Sequence, residues 1–235
     1  MFFLGDTKNL PYGEKSQKQI YALTAKAVQF LFDQDCGLVI IACNTSSAQA
    51  LRKIQQEYLP KYYKDRKVLG VIRPTVELIR TGKVCVLATT GTVRALAYTR
   101  ELKKLNPGLK VVEVAAPELV PLLESNQLAK LNKAVAKYSQ IVADHKVKNL
   151  ILGCTHYAVI KDKFSKKLGR GIKLISQDEI MPAKLANYLD RHPEVEKRLY
   201  KKRERKFYVT KLNKDFLDAA KKWFGEKINL NLARY

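Results

Sequence analysis

The sequence predicts an α/β fold with a mainly parallel sheet, and three observations carry that prediction. Short apolar runs of strand length alternate with amphipathic stretches along the whole chain. Within the amphipathic stretches the apolar residues recur at the helical spacing of roughly 3.6 residues. Twice, a strand-like run delivers a cysteine and a threonine just ahead of a helix. Strands separated by helices require right-handed crossovers, and such crossovers make neighbouring strands parallel.

Taken in order, the strand-like runs are 2–5, 38–42, 68–72, 84–88, 110–114, 149–152 and 172–175. Ahead of the second run, Ile20, Leu23, Ala27, Phe30 and Leu31 form a single stripe. Ser16 with Gln19 makes a capping box at the start of that helix. A later helix carries Leu128, Leu131, Val135, Tyr138 and Val142, and the last carries Phe216, Leu217, Ala220, Trp223 and Phe224. No Ser/Gly/Pro-rich linker divides the 235 residues, a length that suits one large domain or two small ones.

The internal echo lies in Leu38-Val39-Ile40-Ile41-Ala42 ending in Cys43-Asn44-Thr45, against Leu150-Ile151-Leu152-Gly153 ending in Cys154-Thr155-His156. In open α/β folds, ligands bind beyond the carboxyl ends of the strands. Helix N-termini there offer free N–H groups to anions. Two such ends in two facing half-domains would set two thiols around one small anionic ligand.

Composition narrows the class. Forty-four Lys and Arg against 22 Asp and Glu give a net charge of +22, a field that attracts anions. The basic residues are spread along the chain, with one dense run at Lys201-Lys202-Arg203-Glu204-Arg205-Lys206 and no recognition motif beside it. A solvated surface is expected, and nucleic acid is not an expected partner. No apolar run reaches the roughly 18–20 residues of a membrane span. Asp6 comes too early for a signal peptide, so a soluble cytoplasmic protein is expected. The four cysteines, Cys36, Cys43, Cys85 and Cys154, show no C-x-x-C spacing, so neither a zinc ribbon nor a redox dithiol is indicated. Cys36 and Cys85 lie in or beside apolar segments and read as small buried hydrophobes.

Cys43 and Cys154 read differently. Moving an α-proton from one face of an amino acid to the other needs a base on one side and an acid on the other. A thiol, with a reference pKa of about 8.5, can occupy either state near neutrality. A helix N-terminus or a nearby cation lowers that value, and His156 is placed to help Cys154 or to relay its proton. Neither a nucleotide-binding glycine loop nor a P-loop is present, and no metal site or cofactor is expected.

Several segments together resemble the glutamate racemases of the aspartate/glutamate racemase family. They are Leu4-Gly5-Asp6-Thr7 leading to Pro11-Tyr12-Gly13, Ala42-Cys43-Asn44-Thr45, Gly70-Val71-Ile72-Arg73-Pro74, and Ala88-Thr89-Thr90-Gly91-Thr92-Val93. Next come Ala116-Pro117-Glu118-Leu119-Val120-Pro121 with Glu124, Leu152-Gly153-Cys154-Thr155-His156-Tyr157, and Phe207-Tyr208-Val209-Thr210. They occur in family order across nearly the whole chain. His156 after Cys-Thr is the glutamate-racemase form, where aspartate racemases typically carry Glu.

The resemblance implies two pseudo-symmetric α/β lobes, 1–68 plus 177–235 and 69–176, with the active site in the cleft between them. It implies that the C-terminal stretch returns to complete the first lobe. Cys43 would exchange the proton with D-glutamate and Cys154 with L-glutamate, assisted by Asp6, Glu124 and His156. Tyr12, Gly13, Asn44, Thr45, Thr155 and His156 match substrate-holding positions, with Thr89 and Thr92 added. Glutamate is the implied small-molecule partner, and a homodimer is allowed for. The implied role is supply of D-glutamate for peptidoglycan.

Some features depart from the family. Its opening strand and Asp-Ser-Gly loop have no counterpart here, so an inner strand, an activating Asp and a substrate-holding Ser are missing. Arg73, Ala95 and Ala158 are smaller departures. Two explanations stand: a start placed too late, or a true short form with altered function. The alternatives are a racemase of another acidic amino acid, or a racemase fold that has lost catalysis and binds polyanions through its basic surface.

Overall fold

A computed structural model describes residues 1–200, 204–212, 216–218, 220–221, 225 and 228–234. Its strands are β1 (Phe2–Gly5), β2 (Leu38–Ile41), β3 (Lys67–Gly70), β4 (Lys83–Ala88), β5 (Lys110–Ala115), β6 (Asn149–Gly153), β7 (Lys173–Ile175), β8 (Lys206–Val209) and β9 (Leu230–Leu232). Every pairing among them is parallel.

The apolar run at β4 shows how the sequence selects a central strand. Val84 through Ala88 are all fully buried. Alternation sends Cys85 and Leu87 into one core, while Val84, Val86 and Ala88 enter the other. Helices therefore cover both faces of a four-stranded sheet ordered β5-β4-β6-β7. Cys85 behaves as the small buried hydrophobe its neighbours imply, and Cys36 packs half-buried at the rim of another core.

The other lobe holds two sheets, β1-β8-β9 and β2-β3. The C-terminal stretch returns through β8, whose Phe207 pairs with Phe3 and Tyr208 with Leu4. Among the described residues β1 pairs only with β8, and β2 only with β3, so each keeps one open edge. Both strands pack on the helix Gln17–Asp33 that joins them. β9 falls in a segment without a clear strand pattern.

That helix opens with the expected capping box, Ser16 and Gln19 each satisfying the other's backbone. Its most buried residues are Ile20, Thr24, Ala25, Val28 and Phe32, so the buried face is rotated from the expected stripe. Leu23, Ala27, Phe30 and Leu31 are only half-buried. The reason is Thr24, whose hydroxyl donates to the Ile20 carbonyl at 2.6 Å and so enters the core without an unmet polar group.

The strand expected at 68–72 ends at Gly70, because Ile72–Val76 is a helix. Pro74 suits a first helical turn, where its missing N–H has no partner to lose. The helix Leu128–Asp144 buries Leu131, Val135, Tyr138 and Val142 as expected. Leu128, its first residue, is instead 56% exposed. Of the last expected helix, Phe216 and Leu217 are helical and Ala220 is buried, while Trp223 and Phe224 lie outside the described residues. No helix among the described residues is long and apolar enough to cross a membrane.

The chain crosses between the lobes twice. One crossing follows β3 and runs through the helix Ile72–Val76; the other follows β7 and opens the helix Gln177–Arg191.

Candidate active site

Both duplicated strands deliver their cysteine at the same local position. Cys43 is the N-cap of the helix Asn44–Gln49 after β2, with an extended backbone (φ −67°, ψ 123°). Cys154 caps the 3₁₀ turn Thr155–Ile160 after β6, also extended (φ −150°, ψ 138°). Burial pushes the Cys43 thiol up from its ordinary range, the amide and hydroxyl of Ser46 pull it down, and the charge of Cys154 adds to the rise. Cys154 is thus among the groups that act on the Cys43 thiol, although the two lie more than a hundred residues apart in sequence.

On one side of this pair lies a relay. The Nδ1 of His156 is 3.9 Å from the Cys154 sulfur, and its Nε2 is 3.1 Å from a Glu124 oxygen. Glu124 ends the helix Leu119–Glu124, so two segments distant in sequence converge here. Burial alone would lower the His156 pKa, but the contacts to Cys154 and Glu124 raise it to about 10. The imidazole is thus held as a cation at neutral pH.

Three hydroxyls form the floor between the lobes. Thr45 lies 2.9 Å from Thr89 and 3.3 Å from Thr92, and Thr89 lies 3.1 Å from Thr92. Thr89 is also the N-cap of the helix Thr90–Arg94 after β4, its side chain accepting from the Thr92 amide. Gly13 is buried against Thr89, where an added Cβ would lie 3.0 Å from the Thr89 Cβ. Gln49 donates to the Gly91 carbonyl at 2.7 Å, adding a second inter-lobe tie.

The loop after β1 is organised by Asp6. Its carboxylate accepts from the Asn9 amide (2.8 Å), from the Thr210 hydroxyl (2.7 Å) and from the Tyr12 hydroxyl. Asp6 thus fixes the loop that carries Tyr12 and Gly13, and ties it to the end of β8. Asn44 is only 2% exposed, its amide bonded to Gln177 and Tyr98. Thr155 is exposed at the start of its turn.

Ser46, Tyr98 and Gln177 were not anticipated. Ser46 was open to detection, since the third residue after an N-cap is the one whose amide faces the cap side chain. Tyr98 and Gln177 carry no local signal. Among the described residues no group of three or more His, Cys, Asp or Glu side chains could hold a metal ion. A separate cavity of about 550 Å³ lies at the crossings, lined by Arg52, Arg73, Glu77, Glu101, Lys184 and Tyr188 among others, and neither cysteine lines it. Arg73 there pairs with Glu77 at 3.3 Å and with Glu101 at 3.2 Å.

Residues 3–180 match the family model described as Asp/Glu/Hydantoin racemase. A glutamate racemase of Lactobacillus helveticus is 39% identical over 178 residues, which is 74% of this chain and 64% of that protein. One from Streptococcus gordonii is 32% identical, over 98% of this chain and 87% of that one. Among solved structures, a Bacillus anthracis glutamate racemase superposes with a TM-score of 0.87 at 27% identity, covering 99% of this chain and 87% of that one. A Francisella tularensis glutamate racemase in complex with D-glutamate gives 0.86 at 29% identity, with the same coverage. The chain belongs to the Asp/Glu/Hydantoin racemase family.

Proposed function

We propose that the protein interconverts L- and D-glutamate by proton transfer between two thiols, Cys43 and Cys154, without a cofactor. It is an isomerase of the glutamate racemase type, and D-glutamate feeds peptidoglycan synthesis. The observation that supports the mechanism is the pair of cysteines at duplicated strand ends, each the N-cap of the turn or helix that follows its strand. A thiolate on one side removes the α-proton, while a thiol on the other supplies one to the opposite face. In the reverse direction the two exchange roles, Cys43 serving D-glutamate and Cys154 serving L-glutamate.

The remaining residues fall into place around that exchange. His156, protonated and braced by Glu124, sets a positive charge and a proton source beside Cys154. Asp6 acts on the site through the loop bearing Tyr12 and Gly13. Thr45, Thr89, Thr92 and Thr155 supply hydroxyls to the substrate, with the backbone at Asn44 and Gly13 completing the cradle. We take the lobes to divide at the two crossings, after β3 and after β7, close to the expected bounds 1–68 plus 177–235 and 69–176. A cytoplasmic location fits this role, with the basic surface solvated rather than bound to nucleic acid, and a homodimer remains compatible with it.

The test is incorporation of solvent deuterium at the α-position of each enantiomer, alongside full racemisation. The wild type should do both, and Cys43→Ser and Cys154→Ser should each abolish racemisation. Undiminished turnover in both variants would remove the mechanism. A panel of acidic amino acids run in parallel tests the substrate.

A further inference from the structure

Four buried polar side chains meet behind the Cys43 helix. Asn44 and Gln177 form a reciprocal amide pair: the Asn44 Nδ2 donates to the Gln177 Oε1 at 2.8 Å, and the Gln177 Nε2 donates to the Asn44 Oδ1 at 2.8 Å. The Tyr98 hydroxyl donates to the Asn44 Oδ1 at 2.7 Å and accepts from the Gln177 Nε2 at 3.0 Å. The same nitrogen lies 3.4 Å from the Thr75 hydroxyl. Exposure is 2% for Asn44, 7% for Gln177, and 0% for Tyr98 and Thr75.

The placement of these residues gives the network its meaning. Asn44 is the first residue of the helix that Cys43 caps, in the first lobe. Tyr98 belongs to the helix Ala97–Leu105, packed on the four-stranded sheet of the second lobe. Thr75 sits in one chain crossing and Gln177 opens the other. One side chain, Gln177, therefore touches both crossings and both lobes. Its amide is suited to that position because it donates and accepts at once, as the facing Asn44 amide requires. Buried networks with every member satisfied hold one arrangement, because any slippage leaves an unpaired polar group out of reach of water.

We propose that Gln177 is a positioning residue that clamps the Cys43 helix to both hinge crossings and so sets the Cys43 thiol relative to Cys154. Its kinetic consequence rests on the two-thiol reading above; its geometric consequence does not. The clamp grips the Cys43 helix directly, through the hydrogen bonds of Asn44; toward Cys154 it offers only the Tyr98 ring, which packs beside Gly153, while the Cys154 sulfur faces His156.

The test compares wild type with Gln177→Leu, which keeps the bulk and removes the amide, and with Tyr98→Phe, which removes one hydroxyl. Iodoacetamide labelling at each cysteine is followed by peptide mass spectrometry across pH, beside thermal melting and racemisation kinetics. In Gln177→Leu, Cys43 should label several-fold faster as its helix loosens and water reaches the sulfur, while Cys154 keeps its wild-type rate. Turnover should fall by an order of magnitude with KM little changed. Tyr98→Phe should show the same Cys43-selective change at smaller size, and serves if Gln177→Leu fails to fold. Equal changes at both cysteines, or none at Cys43 in a folded variant, would overturn the proposal. A wild type that does not racemise glutamate, with Cys43-selective labelling still seen in the variants, would count against the two-thiol reading and support the clamp.

Discussion

A Cβ added to Gly13 would lie 3.0 Å from the Cβ of Thr89, so the loop after β1 meets the end of β4 more closely than nearly all side-chain contacts do. The contact joins the two lobes at the floor of the cleft. Gly91 repeats the arrangement from the other side, where an added Cβ would lie 2.8 Å from the Gly13 carbonyl oxygen.

Gly13→Ala should therefore push the lobes apart rather than unfold either one. Overpacking of this kind costs about 1–3 kcal/mol. Small displacements of reacting groups can cost about 10²-fold in rate, so kcat/KM should fall much further than thermal stability. Melting and steady-state racemisation on one preparation check this, and an active variant with normal kcat/KM would refute it.

The four cysteines should separate into two classes. Cys43→Ser and Cys154→Ser should lose racemisation while keeping a cooperative melt. Cys85→Ser places a hydroxyl in a fully buried apolar core and should cost about 1–3 kcal/mol if it finds no partner. Cys36→Ser, at a half-buried rim, should cost less. Denaturant titration with activity at each step distinguishes the classes.

His156 gives a pH signature with a definite sign. Its folded pKa is raised from 6.5 to about 10 by Cys154 and Glu124 acting against burial. A raised pKa stabilises the fold fully below the unfolded value and loses that contribution as pH climbs through the folded one. Relative to wild type, His156→Gln should be least stable below pH 6.5, with the gap shrinking on the way to pH 10 and closing beyond it. Its activity should drop by roughly 10²-fold or more, the usual worth of a positioned acid–base group. A stability gap that widens toward alkaline pH would contradict the assignment.

The charge of +22 should act as a solvated field rather than a binding site. Contacts with DNA phosphates release counterions, so non-specific binding weakens steeply with salt. Binding to duplex DNA should vanish at physiological salt. Neutralising Arg205 and Lys206, with Lys201, Lys202 and Arg203 outside the described residues, should leave racemisation unchanged. Here Lys206 already pairs with Glu204 at 3.2 Å. Tight, salt-resistant binding that depends on this run would favour the polyanion reading.

The sequence by itself determined what is local. Apolar runs bounded by turns became parallel strands, Ser16 with Gln19 became a capping box, and the two strand–Cys–Thr segments became two N-caps. Each depends on residues a few positions apart, and that is the range over which propensity and periodicity act. Tertiary structure decided everything that needed two distant segments. Packing chose which face of the first helix is buried and took in Thr24, whose hydroxyl is satisfied within its own helix by the Ile20 carbonyl. Leu128, at the first position of its helix, stayed exposed although it shares the apolar spacing of the buried stripe. The apposition of Gly13 with Thr89, the reach of His156 to Glu124, and the Asn44–Gln177 pair across 133 residues exist only once the lobes have packed. Side chains in such contacts take their identity from the partner they face, and the partner's position is set by the sheets beneath it.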